Sequence, residues 1–488
     1  MASTCGMHVD KMKCTTPTPC TALGARLSTM LAALAAFVLL ALAAAASPID
    51  SFYPALVHPD AAVHPAYDAV PRGQRGQTRQ GAGDGSYQYC SMPHPAPGTY
   101  REPAPVANGS VHARLVGVYY VQRHQKRTTY HVFPNGESTR YECDDVRPYL
   151  YAGGGRGVPA PLPVYARTYY EGENPLMQTF TNSTCQFPQL TLGGYLDGVQ
   201  HGQELRCVYG ERYGVLPRVP SPEHVWLRSS SAALTQDTAG GVLRGLWPHH
   251  NGPLPLHQQA EDVDTHGTFS CDRRDALKKK AESTSEWKAF MKATQPLQKR
   301  LVSMLRTNES DWNSDWDHYC DNFQARLCNG YPLPCAHDDP HKCVTTAEAR
   351  QTFAAGDWMY NYLWVRQKYA KELIRLTSGL LIRDTLRQLR EIASGHSKRS
   401  YVHLFMHDGD IAPLAASLGI QTLRWPGMGS NIALELWNAG GSHYVRVLYS
   451  GLPIRSTHGD LEWMELHKFA QMWSDYVPKD VVSECKSS

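Results

Sequence analysis

Three short apolar runs, each ending beside residues that can hold an anion, constrain this chain more than any other feature of it. LVGVYYV at 115–121 leads into Arg123, His124 and Arg127; HVWL at 224–227 leads at once into Arg228; YVHLFM at 401–406 leads into His407 and Asp408. Short runs that are apolar at consecutive positions read as strands buried on both faces. Such strands need helices on either side, and in open α/β sheets ligands sit beyond the carboxyl ends of the strands. Set in parallel, the three runs bring three guanidiniums, two imidazoles and one carboxylate to one place. An arginine fork grips phosphate oxygens in pairs and stays charged at any working pH, so the cluster fits a phosphoryl group.

The rest of the pattern agrees with an α/β body. NIALELW and HYVRVLY, separated by NAGGS, read as a hairpin, and residues 194–213 (GYLDGVQHGQELRCVYGERY) as a helix that crosses over to the second run. Between the second and third runs the character changes to long helical stretches near 272–306 and 346–395. In the latter, Trp358, Tyr362, Val365, Tyr369, Leu373, Leu376 and Leu380 recur at gaps of three and four, with Leu386 and Leu389 beyond, which is a packing face. The expected organisation is a leader at 1–46, an irregular Pro/Gly/Ala/His-rich arm at 47–110, an α/β core from 111–255 and 401–488, and a helical cap inserted at 256–400.

The leader carries Lys11, Lys13 and Arg26 ahead of an apolar run from Met30 to Ala46, with Ala44 and Ala46 placed for a cut before Ser47. This reads as a secretory signal peptide, since a spanning helix needs about 20 apolar residues; an uncleaved anchor is the alternative, with the same body outside. Ten cysteines follow the leader, an even count that suggests up to five disulfides, with Cys320, Cys328, Cys335 and Cys343 stapling a loop-rich segment. Their spacings lack the paired ligands of a structural zinc site. Acceptor sequons at Asn108, Asn182 and Asn308 fit the same export route. A formal net charge of +3 over 488 residues, with no basic run interleaved with aromatics, gives no reason to expect nucleic acid as a partner.

The motifs carry a resemblance to the histidine acid phosphatases, a branch of the phosphoglycerate mutase-like superfamily. RHQKRTT at 123–129 is similar to that family's R-H-G-x-R-x-P signature and MHDGD at 406–410 to its H-D motif, with intervening segments in the same order, so the likeness runs from about 111 to 470. The resemblance implies a phosphoglycerate mutase-like core with a mostly parallel sheet. It also implies His124 as the nucleophile that forms a phosphohistidine, Asp408 as proton donor to the leaving alcohol, and Arg123, Arg127, Arg228 and His407 as the phosphoryl grip. A carboxyl acid has a reference pKa of about 3.9, which argues for an acidic optimum. The scheme requires no cofactor and no metal. Three positions depart from the pattern: Gln125 replaces a glycine, Thr129 a proline, and Asp410 stands where Thr or Asn is common. They leave a non-catalytic binder of phosphorylated ligands as the rival to a phosphatase acting on small monoesters, inositol phosphates or sugar phosphates.

Other candidates carry less. His403 lies about 13 Å back along its strand from His407 and reads as a core histidine, and His201 as helix surface or a domain contact. GGGRG at 153–157 is a flexible loop without the Lys-Ser/Thr of a P-loop, and no G-x-S-x-G elbow is present for a serine hydrolase.

Overall fold

The strand β1, Arg114–Arg123, is buried along nearly its whole length because both of its faces are apolar: Tyr119 and Val121 enter one core, Val118 and Tyr120 the other. The computed structural model that shows this describes residues 89–143, 145–146, 149–150, 164–165, 183–259, 268–308, 310–420 and 422–486. The leader, the first part of the arm, the GGGRG loop and the sequon at Asn182 lie outside the described residues.

The other two expected strands form beside β1. β2, Val225–Ser229, pairs in parallel with β3, Tyr401–Met406, and β3 in parallel with β1. The hairpin adds β4, Asn431–Ala439, and β5, Ser442–Tyr449, followed by the short β6, Leu452–Pro453, and β7, Met464–Glu465. The order is β2-β3-β1-β4-β5-β6, with β7 also on β5. The sheet is therefore mixed rather than mostly parallel: the three strands that carry the chemistry run together, while β4 to β7 are antiparallel. The cause is local, because Gly440 and Gly441 both take positive φ, as a two-residue hairpin turn requires, and so turn β4 straight back into β5.

Helices cover both faces. α1, Leu192–Leu205, continues into a π-helical turn at Arg206–Arg212 and packs with α2, Ala233–Leu246, over one face, burying Leu205, Val208, Val242 and Leu246 with Tyr120 and Phe405. The segment between β2 and β3 supplies α3, Asp272–Glu282, α4, Ser285–Leu305, α5, Ser310–Ser314, α6, Asp317–Cys328, α7, Thr346–Asn361, and α8, Ala370–Ala393. α4, α6 and α7 share their own core of Trp287, Phe290, Trp316, Phe323 and Trp358. α8 instead packs on the sheet, where Leu381, Ile382, Leu386 and Leu389 meet Val121 and Leu404.

The apolar periodicity read from Trp358 to Leu389 is thus divided among separate clusters. α7 runs on into a π-helical turn at Tyr362–Arg366, and the break lies at Gln367, whose carboxamide donates to Leu363 O of that turn (2.9 Å) and accepts from Tyr369 N before α8 (2.6 Å). α9, Asp408–Ser417, follows β3 directly, and α10, Leu466–Ser474, and α11, Val481–Lys486, close the chain's described part.

Four disulfides are present among the described residues: Cys90–Cys328, Cys143–Cys185, Cys271–Cys485 and Cys335–Cys343. Cys207 is also disulfide-bonded, but Cys320 is a free thiol buried in the core that α4, α6 and α7 share, so the even count did not mean complete pairing within the ten. Cysteine bridging of this density fits an oxidising compartment. No described helix is long and apolar enough to cross a membrane.

Candidate active site

The end of β1 fixes His124. Arg123 N donates to Ser430 O (2.8 Å), His124 N to Met406 O (2.9 Å), and Gly429 N to His124 O (3.0 Å), so the ladder runs one residue past the strand on both sides. Gly429 makes this approach possible: its φ is +72°, and a Cβ there would sit 2.6 Å from Gln125 Oε1. The imidazole of His124, 2 % exposed, has Nδ1 2.9 Å from its neighbour's carbonyl, Gln125 O. A carbonyl only accepts, so Nδ1 carries the hydrogen, and the lone pair of Nε2 accepts from Arg127 Nε (3.5 Å). Burial, then the charges of Arg123 and Arg127 and the neighbouring His407, hold His124 well below the ordinary histidine pKa. The ring therefore stays neutral in mild acid.

Arg123 and Asp408 form the floor. Arg123 is fully buried; its Nη2 lies 2.7 Å from Asp408 Oδ2, and its Nη1 donates to Tyr89 OH (3.0 Å) and to Pro426 O. Burial alone would lower its pKa, but Asp408 and Tyr89 more than offset that and keep it charged. Asp408 also accepts from Trp425 Nε1 (2.7 Å) and Gly409 N (2.8 Å) while remaining partly open to solvent. His407 caps α9, with its ring 5.6 Å from that of His124 and its Nε2 2.8 Å from Ser230 Oγ. The positive end of a helix is thereby aimed at the cluster.

Arg127 is held from α6. Its Nη1 lies 2.8 Å from Asp321 Oδ1 on α6 and donates to Thr128 O (2.9 Å). The structure thus brings Arg123, His124, Arg127, His407 and Asp408 together. Arg228 is set further back: buried on β2 in register with Leu404, it stands three residue steps before the level of His407, and Ser230 is the β2-side residue seen against that imidazole.

The three departures have structural accounts. Asp410 Oδ2 accepts from His407 N (3.1 Å), so its charge closes a capping box at the start of α9. Thr129 Oγ1 donates to Asp321 Oδ2 (2.9 Å), a bond a proline could not make. The Gln125 carboxamide is taken up by His201 Nδ1 (3.3 Å) and the surface of Gly429. His201 is buried rather than surface, with Nε2 2.7 Å from Tyr120 OH and its ring stacked on His94. His403 is fully buried between Tyr401 OH and Gln122 Oε1, both at 3.0 Å.

Sequence reasoning missed Tyr89, Ser230, Asp321 and Trp425. The first lies in an arm of no recognisable period, and Asp321 and Trp425 in a helix and a loop without motif; Ser230 alone carried a signal, being two residues past Arg228. Among the described residues one group of suitable ligands for a metal ion occurs, His131, Asp317 and His318, and none of the three belongs to this cluster.

Comparison with known proteins finds a match between residues 114–450 and the family model described as the histidine phosphatase superfamily (branch 2). Among curated proteins, Counting factor 60 of Dictyostelium discoideum is 24 % identical over 73 % of this chain and 82 % of its own length. 2-phosphoxylose phosphatase 1 of Homo sapiens is 22 % identical over 75 % of each chain, and prostatic acid phosphatase of Rattus norvegicus 22 % identical over 65 % of this chain and 87 % of its own.

Proposed function

Since the chain belongs to branch 2 of the histidine phosphatase superfamily, we propose that it hydrolyses phosphate monoesters through a phosphohistidine on His124. The observation that carries the reading is the state of that ring: neutral, oriented by Gln125 O through Nδ1, with Nε2 presented beside Arg127. Arg123, Arg127 and His407 grip the phosphoryl oxygens, and Arg228, set further back on β2, adds its positive charge from behind. Nε2 attacks phosphorus, the bond to the ester oxygen breaks, and Asp408 gives that oxygen its proton. Water, deprotonated by Asp408, then attacks the phosphoryl group; the P–N bond breaks, inorganic phosphate leaves and neutral His124 returns. The arginines are already in place for the charge of the transferring group, so the step needs little reorganisation.

A phosphoryl anion on the Arg123 guanidinium competes with Asp408 across their 2.7 Å ion pair and frees the carboxyl to face the leaving oxygen. The helices of α4 to α7 are read as the cap that bounds the pocket, and relatives named for 2-phosphoxylose make sugar phosphates the first substrates to try, with inositol phosphates beside them. We place the action in the secretory route, with leader cleavage and glycans on the exposed Asn108 and Asn308.

Release of p-nitrophenol from p-nitrophenyl phosphate tests the proposal. Wild type is expected to turn over at acidic pH and His124→Ala to fall by roughly a thousandfold or more. A folded wild type that binds phosphate without turnover would make the protein a binder instead.

A further inference from the structure

Just past the loop that carries Arg127, three side chains with ligand atoms meet, and the phosphoryl chemistry uses none of them. His131 Nε2 lies 3.4 Å from Asp317 Oδ2, and His318 Nδ1 3.5 Å from the same oxygen. All three donor atoms fall within 4.8 Å of one another. Around an ion bound tetrahedrally at about 2.0–2.1 Å, donor atoms stand about 3.3–3.4 Å apart, so the two distances to Asp317 are already near ligand spacing. The two imidazoles stack face to face, centroids 3.4 Å apart at 14°, each with a nitrogen near the one carboxylate, and one ring tilts out of the stack for both in-plane lone pairs to meet one ion.

Two further features suit an ion. The other nitrogen of His318, Nε2, has Asp311 Oδ2 within ion-pair reach at 3.7 Å, from where a small shift would let the carboxylate accept from a metal-bound imidazole. The three side chains are 28 %, 38 % and 16 % exposed, which leaves an entry path and room for water as a fourth ligand. Two imidazoles with one carboxylate is a set that suits late first-row divalent ions, and the near-tetrahedral spacing favours zinc among them.

We propose that His131, Asp317 and His318 bind a divalent transition-metal ion, zinc by their chemistry, which fastens the Arg127 loop to α6. Asp317 opens α6, and Asp321, one turn on, accepts from Tyr130 N (2.7 Å), His131 N (3.0 Å) and Thr129 Oγ1 (2.9 Å) while pairing with Arg127 (2.8 Å). An ion shared by His131 and Asp317 ties the same two elements beside those bonds. The ion thereby limits how far the guanidinium of Arg127 can wander, a consequence that rests on the phosphatase reading of Arg127.

The full secreted chain, stripped with a chelator, should bind Zn2+ saturably at one ion per chain in a calorimetric titration. That binding should vanish in His131→Ala/His318→Ala and weaken about ten- to a hundredfold in Asp311→Asn. Should the double variant misfold, Co2+ added to the wild type decides the matter through the intense visible absorption of a tetrahedral nitrogen and oxygen site. No saturable Zn2+ binding, no tetrahedral Co2+ spectrum, or Zn2+ binding unchanged in a folded double variant overturns the site. The coupling is read separately, from inorganic phosphate affinity without turnover: severalfold tighter with Zn2+ than without supports it, and equal affinity removes it. Absence of phosphatase activity would end the catalytic reading and leave the metal titration standing.

Discussion

Asp408 holds Arg123 and, in the reaction we propose, moves a proton, and the two roles can be separated by the leaving group. An alkyl phosphate expels a strongly basic alkoxide, whereas p-nitrophenolate leaves with little help. Asp408→Asn is therefore expected to slow alkyl phosphate hydrolysis by about a hundredfold or more and p-nitrophenyl phosphate hydrolysis far less. Equal losses for both would assign Asp408 to positioning alone. Arg127 depends on Asp321 in a different way, through a pair that is almost wholly buried. Asp321→Ala leaves that guanidinium uncompensated, with an expected cost of about 3–5 kcal/mol in urea unfolding and a raised KM. The motif residues of the site were legible because R-H and H-D follow strands that hydrophobicity alone marks. Their supports were not, since Tyr89, Asp321 and Trp425 owe their positions to folding over long sequence distances and to no local pattern.

At the scale of one element, α9 shows how a residue that looks out of place in a motif can serve the backbone. Asp410 adds negative charge near an anion site, yet its carboxylate is spent on His407 N at the helix start. Asp410→Ala is expected to destabilise the fold by about 1 kcal/mol, measured by denaturant unfolding, without improving the KM for phosphate esters. A marked fall in KM would mean that the charge had been repelling substrate instead. The same element explains why the mixed sheet was only half legible: the apolar runs marked β1, β2 and β3, and NAGGS marked the hairpin, but nothing in either pattern says that the hairpin joins the edge of β1. The helical periodicity near 346–395 was legible as packing, while its division at Gln367 rests on one carboxamide bonded to both sides of the break.

For the whole molecule, the titrating groups set how stability responds to acid. Burial lowers the pKa of His124, His201, His403 and His443, and His318 is the one described histidine with a resolved rise. A lowered histidine binds its proton more readily unfolded, so four against one predicts that stability falls as pH drops below about 6.5. Asp237 and Asp357, both pushed up to about 6 by burial, then take protons in the folded state and blunt the decline further down. Thermal unfolding between pH 7.5 and 5 checks this, and a melting temperature unchanged across that span contradicts it. The bridge between Cys90 and Cys328 has a reach of its own, because it anchors the chain beside Tyr89, which steadies Arg123, to the end of the helix whose Asp321 steadies Arg127. One sulfur-sulfur bond therefore stands behind both guanidiniums, and a chain made where thiols stay reduced would keep His124, the proposed nucleophile, yet hold the arginines beside it loosely.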